Sequence, residues 1–126
     1  MSSANGNGQQ PPDPALSHAA SLPRLSQREQ DGVWVIAVHG DFDADSSPAL
    51  AKALDAAART YPRVVVDATG MTFADSTVLN LLLKFNLTTT ELRVAGPAQP
   101  FLRVLELTGA DRVLDIRPTV DDAVKS

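Results

Sequence analysis

The sequence predicts a single α/β domain: a mixed β-sheet of about five strands flanked by about four helices. Three observations carry that expectation. Residues 64–66 are an uninterrupted run of Val, the pattern of a strand buried on both faces. Strand-like runs alternate along the chain with stretches of helical apolar spacing, as they do when crossovers return over a parallel sheet. The first two strand-like runs are instead joined by Asp31-Gly32, a hairpin signal, which adds an antiparallel strand and makes the sheet mixed. A chain of 126 residues, 44% hydrophobic, suits one such domain and is short for two. Aromatic residues are only 5%, so Val, Leu, Ile and Ala must build most of the core.

Residues 1–21 are rich in Ser, Asn, Gly, Gln, Pro and Ala without a sustained apolar period, and are expected to form a flexible tail. A weak helical run at residues 15–20, holding a solvated His18, is too short to be stable alone. The domain is expected to span residues 22–126. Residues 22–29 alternate loosely, and the strongly β run at 33–38 follows the Asp31-Gly32 turn; Trp34 lies there as a partly buried packing residue. Residues 39–48 carry Asp41, Asp43 and Asp45 at alternate positions. They do not continue as a calcium loop, because Ser46 stands where Gly is needed and Lys52 where a bidentate Glu is needed. A strand end and a helix start fit better, with Ser47 as cap and Pro48 in the first helical position.

Leu50, Ala53, Leu54 and Ala57 then give one apolar helical face, which Pro62 ends. After the Val run, a turn is expected at Ala68-Thr69-Gly70. Asp75-Ser76-Thr77 follows, short polar side chains suited to cap a helix beginning near Val78. That helix carries Val78, Leu79, Leu81, Leu82, Leu83 and Phe85, a wider apolar face than packing on one core requires. A strand over residues 91–95, with Leu92 and Val94 on one side, is broken by Gly96-Pro97. Phe101, Leu102, Val104, Leu105 and Leu107 form a third helix that stops at Gly109. A last strand is expected at residues 112–116, and Thr119 as the cap of a closing helical turn.

Several function classes are excluded. The formal charge of −4 gives no electrostatic footprint for nucleic acid or an anionic membrane. The absence of Cys removes disulfides, thiolate metal sites and thiol nucleophiles. No apolar run approaches the roughly 20 residues of a membrane span, and the amino terminus lacks the pattern of a signal peptide, so a cytoplasmic location is expected. No nucleophile elbow, phosphate-cradling Gly-Lys pair or metal-spaced His pair occurs, and no metal or cofactor is expected. Ser76 has no His or Lys near it in sequence to act as a base, so it reads as a hydroxyl that receives a group rather than one that attacks. Its place at the positive end of a helix suits a phosphoryl group.

From residue 64 through 85 the chain resembles the central segment of the STAS domain of anti-sigma factor antagonists. That pattern is an apolar strand with a terminal Asp, then Phe-x-Asp-Ser-[Ser/Thr]-Gly-Leu opening a helix. Phe73, Asp75, Ser76, Thr77 and Leu79 match it, and Val78 stands where the pattern has Gly. Gly40 and Asp43 match the family's Gly-x-x-Asp ahead of its first helix, and residues 104–111 resemble its last helix-to-strand segment. The resemblance implies a bacterial regulatory protein, not an enzyme. It would bind an anti-sigma factor that is also a serine kinase of the ATPase type and release a sigma factor, with Ser76 as the phosphorylated residue. Asp43, Asp75, Ser76, Thr77, Val78 and Leu79 would form the partner-binding set, Val78 projecting stiffly beside the hydroxyl. Two other classes stay open: a STAS-like accessory subunit that docks on an ATPase or transporter without phosphorylation, and a small-ligand-binding regulatory domain.

Overall fold

The structure, a computed structural model, describes residues 22–88 and 90–125. The expected tail at residues 1–21, with His18, lies outside the described residues. A five-stranded sheet runs in the order β1 (Arg24–Gln30), β2 (Val33–Phe42), β3 (Arg63–Ala74), β4 (Glu91–Ala95) and β5 (Asp115–Arg117). The β1–β2 pair is antiparallel and the other three pairs are parallel. The hairpin forms where the sequence places it: Asp31 and Gly32 both have positive φ (52° and 80°), which matches the right-handed twist of the strands it joins. Helices α1 (Ser47–Ala58), α2 (Ser76–Asn86) and α3 (Gln99–Thr108) carry the connections between successive parallel strands, and α4 (Val120–Lys125) follows β5.

The Val run behaves as its pattern requires. Val64 and Val66 face a core formed with Leu50, Leu54, Val78, Leu82, Phe101 and Leu105 of the first three helices. Val65 faces the other way, into a smaller cluster with Val33, Val35, Ala95 and the α4 residues Ala123 and Val124. The sheet is thus covered by three helices on one face and by one short helix on the other. Leu92 and Val94 lie on the three-helix side as expected. The α3 stripe is narrower than its sequence suggests: Phe101 and Leu105 are buried, whereas Leu107 is exposed.

Three local expectations are corrected. The turn at Ala68-Thr69-Gly70 is part of β3, which continues to Ala74 because β2 continues to Phe42 and pairs with it from His39↔Gly70 to Phe42↔Ala74. What the sequence showed as a turn is a register shift, where Asp67 accepts hydrogen bonds from the Thr69 amide (3.1 Å) and hydroxyl (2.7 Å). Gly70 is required by close approach: a Cβ there would stand 2.5 Å from His39 Nδ1. The last strand begins at Asp115 rather than residue 112, because the chain first tightens into a 3₁₀ turn (Ala110–Arg112) that drives Leu114 into the core. At α1, Ser47 is the first helical residue, and Ser46 holds the cap position without a side-chain cap bond.

The small face depends on a chain of charges. Arg93, its side chain only 4% exposed, ion-pairs with Glu91 (2.7 Å) and Asp115 (3.3 Å) and donates to the Ala123 carbonyl (3.0 Å). Arg63 pairs with Glu91 (3.0 Å) and donates to the Val124 carbonyl (2.9 Å). Two guanidinium groups therefore cap the carboxyl end of α4, where carbonyls lack helical partners. The Thr119 hydroxyl accepts from the Asp122 amide (3.1 Å) at the other end, as expected.

Two predictions follow from this clamp. Arg93→Ala removes a buried cation and orphans a buried carbonyl, and should cost about 2–4 kcal/mol in urea unfolding. The second concerns acid. Hydrogen bonds from Arg93 hold the Glu91 carboxyl below its ordinary 4.5, and those from Arg117 hold Asp115 below 3.8. A carboxyl depressed in the folded state adds stability above its unfolded pKa and loses it as pH falls through the folded value. Stability should therefore be flat from neutrality to about pH 5 as far as these groups are concerned, then fall below the two ordinary values. The side chains are 46% and 38% exposed, so each contributes no more than about 1 kcal/mol. Urea midpoints between pH 7 and pH 3, compared with a Glu91→Gln/Asp115→Asn double variant, should show a shallower acid limb in the variant.

Candidate functional site

The site gathers at the carboxyl ends of β2 and β3, where an α/β sheet presents its loops. The two strand ends are tied directly, because the Asp75 amide donates to the Phe42 carbonyl (3.2 Å). Asp75 is the N-cap of α2: its backbone is extended, and its Oδ1 accepts from the Thr77 amide (2.9 Å) and the Val78 amide (3.4 Å). The helix therefore starts at Ser76, two residues earlier than expected, with Asp75 alone as cap.

That shift relocates the expected site residues. Ser76, in the first helical position, and Thr77 are exposed. Among the described residues nothing hydrogen-bonds the Ser76 hydroxyl, so it is free to receive a group. Val78 is 1% exposed and Leu79 7%, both in the core with Leu82 and Phe85. Val78 thus does not project beside the hydroxyl; one turn of an earlier-starting helix points it at the sheet. Neither residue therefore presents its side chain on the site's surface.

Asp43 lies in the neighbouring loop between β2 and α1. Its Oδ1 accepts from the amides of Asp45 (2.9 Å) and Ser46 (3.2 Å) and from the Ser46 hydroxyl (3.1 Å), while the Asp43 amide donates to Ser46 Oγ (2.8 Å). These bonds, the Ser46 amide first, hold its carboxyl below the ordinary value of 3.8. Asp43 fixes the loop shape and remains on the surface. It performs the ordering that the sequence assigned to Ser47.

Two features go beyond the sequence reading, the exposure of Phe73 and a groove beside α2. Phe73 is 47% exposed near the end of β3, a large apolar side chain two residues before Asp75. Between α1 and α2 runs an open groove of about 390 Å³, lined by Ser47, Pro48 and Ala51 on one side and Thr77, Asn80, Leu81 and Lys84 on the other. The signal for the groove was the α2 apolar face, too wide by Leu81. Its counterpart on α1 is a row of small residues at helical spacing, which carries no hydrophobic signal. No His, Cys, Asp or Glu cluster among the described residues is placed to hold a metal ion, and no described helix is long and apolar enough to cross a membrane.

The family model described as MlaB, STAS domain matches residues 25–117, well over half of the chain. A search of curated proteins finds no match. Among solved structures, an anti-sigma factor antagonist from Mycobacterium paratuberculosis is 30% identical, with a TM-score of 0.75 over 82% of this chain and 92% of that one. The Bacillus cell fate determinant SpoIIAA in its phosphorylated form is 14% identical, with a TM-score of 0.58 over 82% of this chain and 96% of that one. A murine anion transporter, solute carrier 26 family member A9, shares the fold over 87% of this chain and 23% of its own length, at 14% identity and a TM-score of 0.63. The chain belongs to the STAS-domain family and groups there with the anti-sigma factor antagonists. The sequence resemblance and the fold class it implied both stand.

Two substitutions separate the roles of neighbouring residues. Asp75→Ala should cost about 1 kcal/mol, the worth of a helix cap. Val78→Gly, which restores the residue of the family pattern, should cost about 2–4 kcal/mol, because it removes a core side chain and adds helix entropy. Guanidinium melts of both variants would check that ordering.

Proposed function

We propose that this protein is a phosphorylation-controlled anti-sigma factor antagonist with Ser76 as the phosphoacceptor. Unphosphorylated, it captures an anti-sigma factor that is also a serine kinase of the ATPase type, and a sigma factor is freed. Phosphorylated, it lets go. The observation that supports this reading best is the placement of Ser76: exposed, unbonded, first in α2, beside a cap that belongs to the helix rather than to catalysis. Among the described residues no side chain hydrogen-bonds the hydroxyl as a base would, and in this reading ATP and base come from the partner, with the protein as substrate rather than enzyme. Its place of action is the cytoplasm, where a sigma factor works.

The chemistry of the switch is electrostatic. Asp75 Oδ1 already occupies two of the amide donors at the start of α2. A phosphoryl group on Ser76 adds about −1.5 to −2 charge beside that carboxylate, and a docked partner would strip water from both. Asp43, Asp75, Ser76 and Thr77 make the contact surface in this reading, with Val78 and Leu79 packed beneath it in the core.

An unpaired interfacial charge costs roughly 2–5 kcal/mol, and each 1.4 kcal/mol is tenfold in affinity. Ser76→Asp should therefore bind the anti-sigma factor at least tens of times more weakly than the wild type, with an unchanged circular dichroism spectrum. Ser76→Ala should bind like the wild type and accept no phosphate. Equal calorimetric affinities for wild type and Ser76→Asp would sink the switch.

A second reading, the accessory subunit docking on an ATPase or transporter without phosphorylation, draws on Val78 in place of the pattern's Gly. A buried β-branched residue stiffens the first turn of α2, where Gly would give a kinase a more pliable backbone. Under that reading the purified partner binds wild type and Ser76→Ala alike, and ATP leaves no phosphate on Ser76 by mass spectrometry.

A further inference from the structure

The opposite end of the sheet carries a separate aromatic cleft. Trp34 near the start of β2 stacks on Tyr61, which follows α1, with ring centroids 5.1 Å apart and planes at 24°. With Gln27, Ala56, Ala57 and Thr60 these rings line a cleft of about 290 Å³ between the β1–β2 edge and the last turn of α1. Because Trp34 pairs with Val64 at the beginning of β3, the cleft lies at the amino ends of the parallel strands, away from Ser76. Neither ring is a mere plug, for each has its polar atom fixed. Trp34 Nε1 donates to Gln27 Oε1 (2.9 Å), and the Tyr61 hydroxyl donates to Glu29 Oε1 (2.7 Å).

The charge hydrogen-bonded to a ring of this cleft is negative. The Glu29 carboxylate at its rim makes no ion pair among the described residues; the phenol is its partner. Its negative charge raises the Tyr61 pKa above the ordinary 10.0 through that hydrogen bond and enriches the ring in electron density. The last turn of α1, whose Ala56 and Ala57 line the cleft, holds no basic side chain, and Arg59 at its C-cap forms no ion pair with Glu29 among the described residues. Electron-rich ring faces, a carboxylate and a helix carboxyl end together attract a cation, and the aromatic lining favours one with a weakly hydrated, delocalised or alkylated charge.

We propose that the cleft lined by Trp34 and Tyr61, with Glu29 beside it on the Tyr61 hydroxyl and opposite Trp34 in the β1–β2 pair, binds a small organic cation of the guanidinium or quaternary ammonium class. The site stands apart from Ser76 and does not rest on the reading of that residue.

Trp34 is the only tryptophan of the chain, so its emission reports the cleft directly. The full-length protein is titrated with tetramethylammonium chloride and with methylguanidinium chloride, each against sodium chloride at matched ionic strength. A saturable emission change with either cation is expected, half-complete in the millimolar range, with amide shifts at Gln27, Ala56, Ala57 and Thr60 in ¹⁵N spectra. The cation that saturates defines the class. Glu29→Gln, at an exposed position that leaves the fold unchanged, should weaken binding roughly tenfold or more, as loss of a close opposite charge does. An emission change no different from that of sodium chloride overturns the proposal. So does saturable binding that Glu29→Gln leaves intact, or amide shifts confined to other parts of the domain.

Discussion

The parallel pairing of β2 with β3 is the constraint on which the site depends. Both strands outrun β4, whose pairing with β3 ends at Asp67↔Ala95, and they continue as a pair from His39↔Gly70 to Phe42↔Ala74. The extension passes through two register shifts, and at the first of them Gly70 lets the His39 imidazole lie against the backbone. Its end product is the hydrogen bond from the Asp75 amide to the Phe42 carbonyl, which joins the start of α2 to the loop that holds Asp43. Residues more than thirty apart in sequence thereby form one surface, tied also by the Thr72 hydroxyl, which donates to the Asp41 carboxylate.

On that surface the carboxylates do structural work first. Asp75 satisfies amides that a helix start leaves open, and Asp43 satisfies amides of a tight loop. Their charges are thus spent on backbone donors, and the Ser76 hydroxyl between these elements has no hydrogen bond among the described residues. A site assembled this way has its backbone donors satisfied without any added group. A phosphoryl group added to it would change charge rather than shape, which is the economical form of switch when the partner reads a preformed surface.

Much of this was legible in the sequence where a signal is local. The Val run, the Asp31-Gly32 hairpin, the Gly109 stop and the Phe-x-Asp-Ser-Thr pattern each act through neighbours a few residues away, and each appears where its chemistry places it. The misplacements came from tertiary pairing. Ala68-Thr69-Gly70 has turn composition, yet a longer partner strand holds it extended. Val78 turns into the core because α2 starts at Ser76, two residues before the start its apolar run suggests, and in a helix two residues amount to about half a turn. The exposed Phe73 and the groove beside Leu81 were hidden for a different reason: exposure of an apolar side chain is decided by what packs over it, not by its own neighbours in sequence.

The lightly covered face of the sheet shows the same division between local and tertiary cause. A six-residue helix such as α4 is too short to persist alone. It holds here because Ala123 and Val124 close a small apolar cluster while Arg63 and Arg93 cap its last carbonyls. Those arginines sit on adjacent strands, and Glu91 and Asp115, which neutralise them, sit on β4 and β5. The charge chain thus fastens three strands and a helix at once. Weakening it should loosen the edge at β5 while leaving the β2–β3 extension intact, because that extension shares neither its residues nor its face of the core.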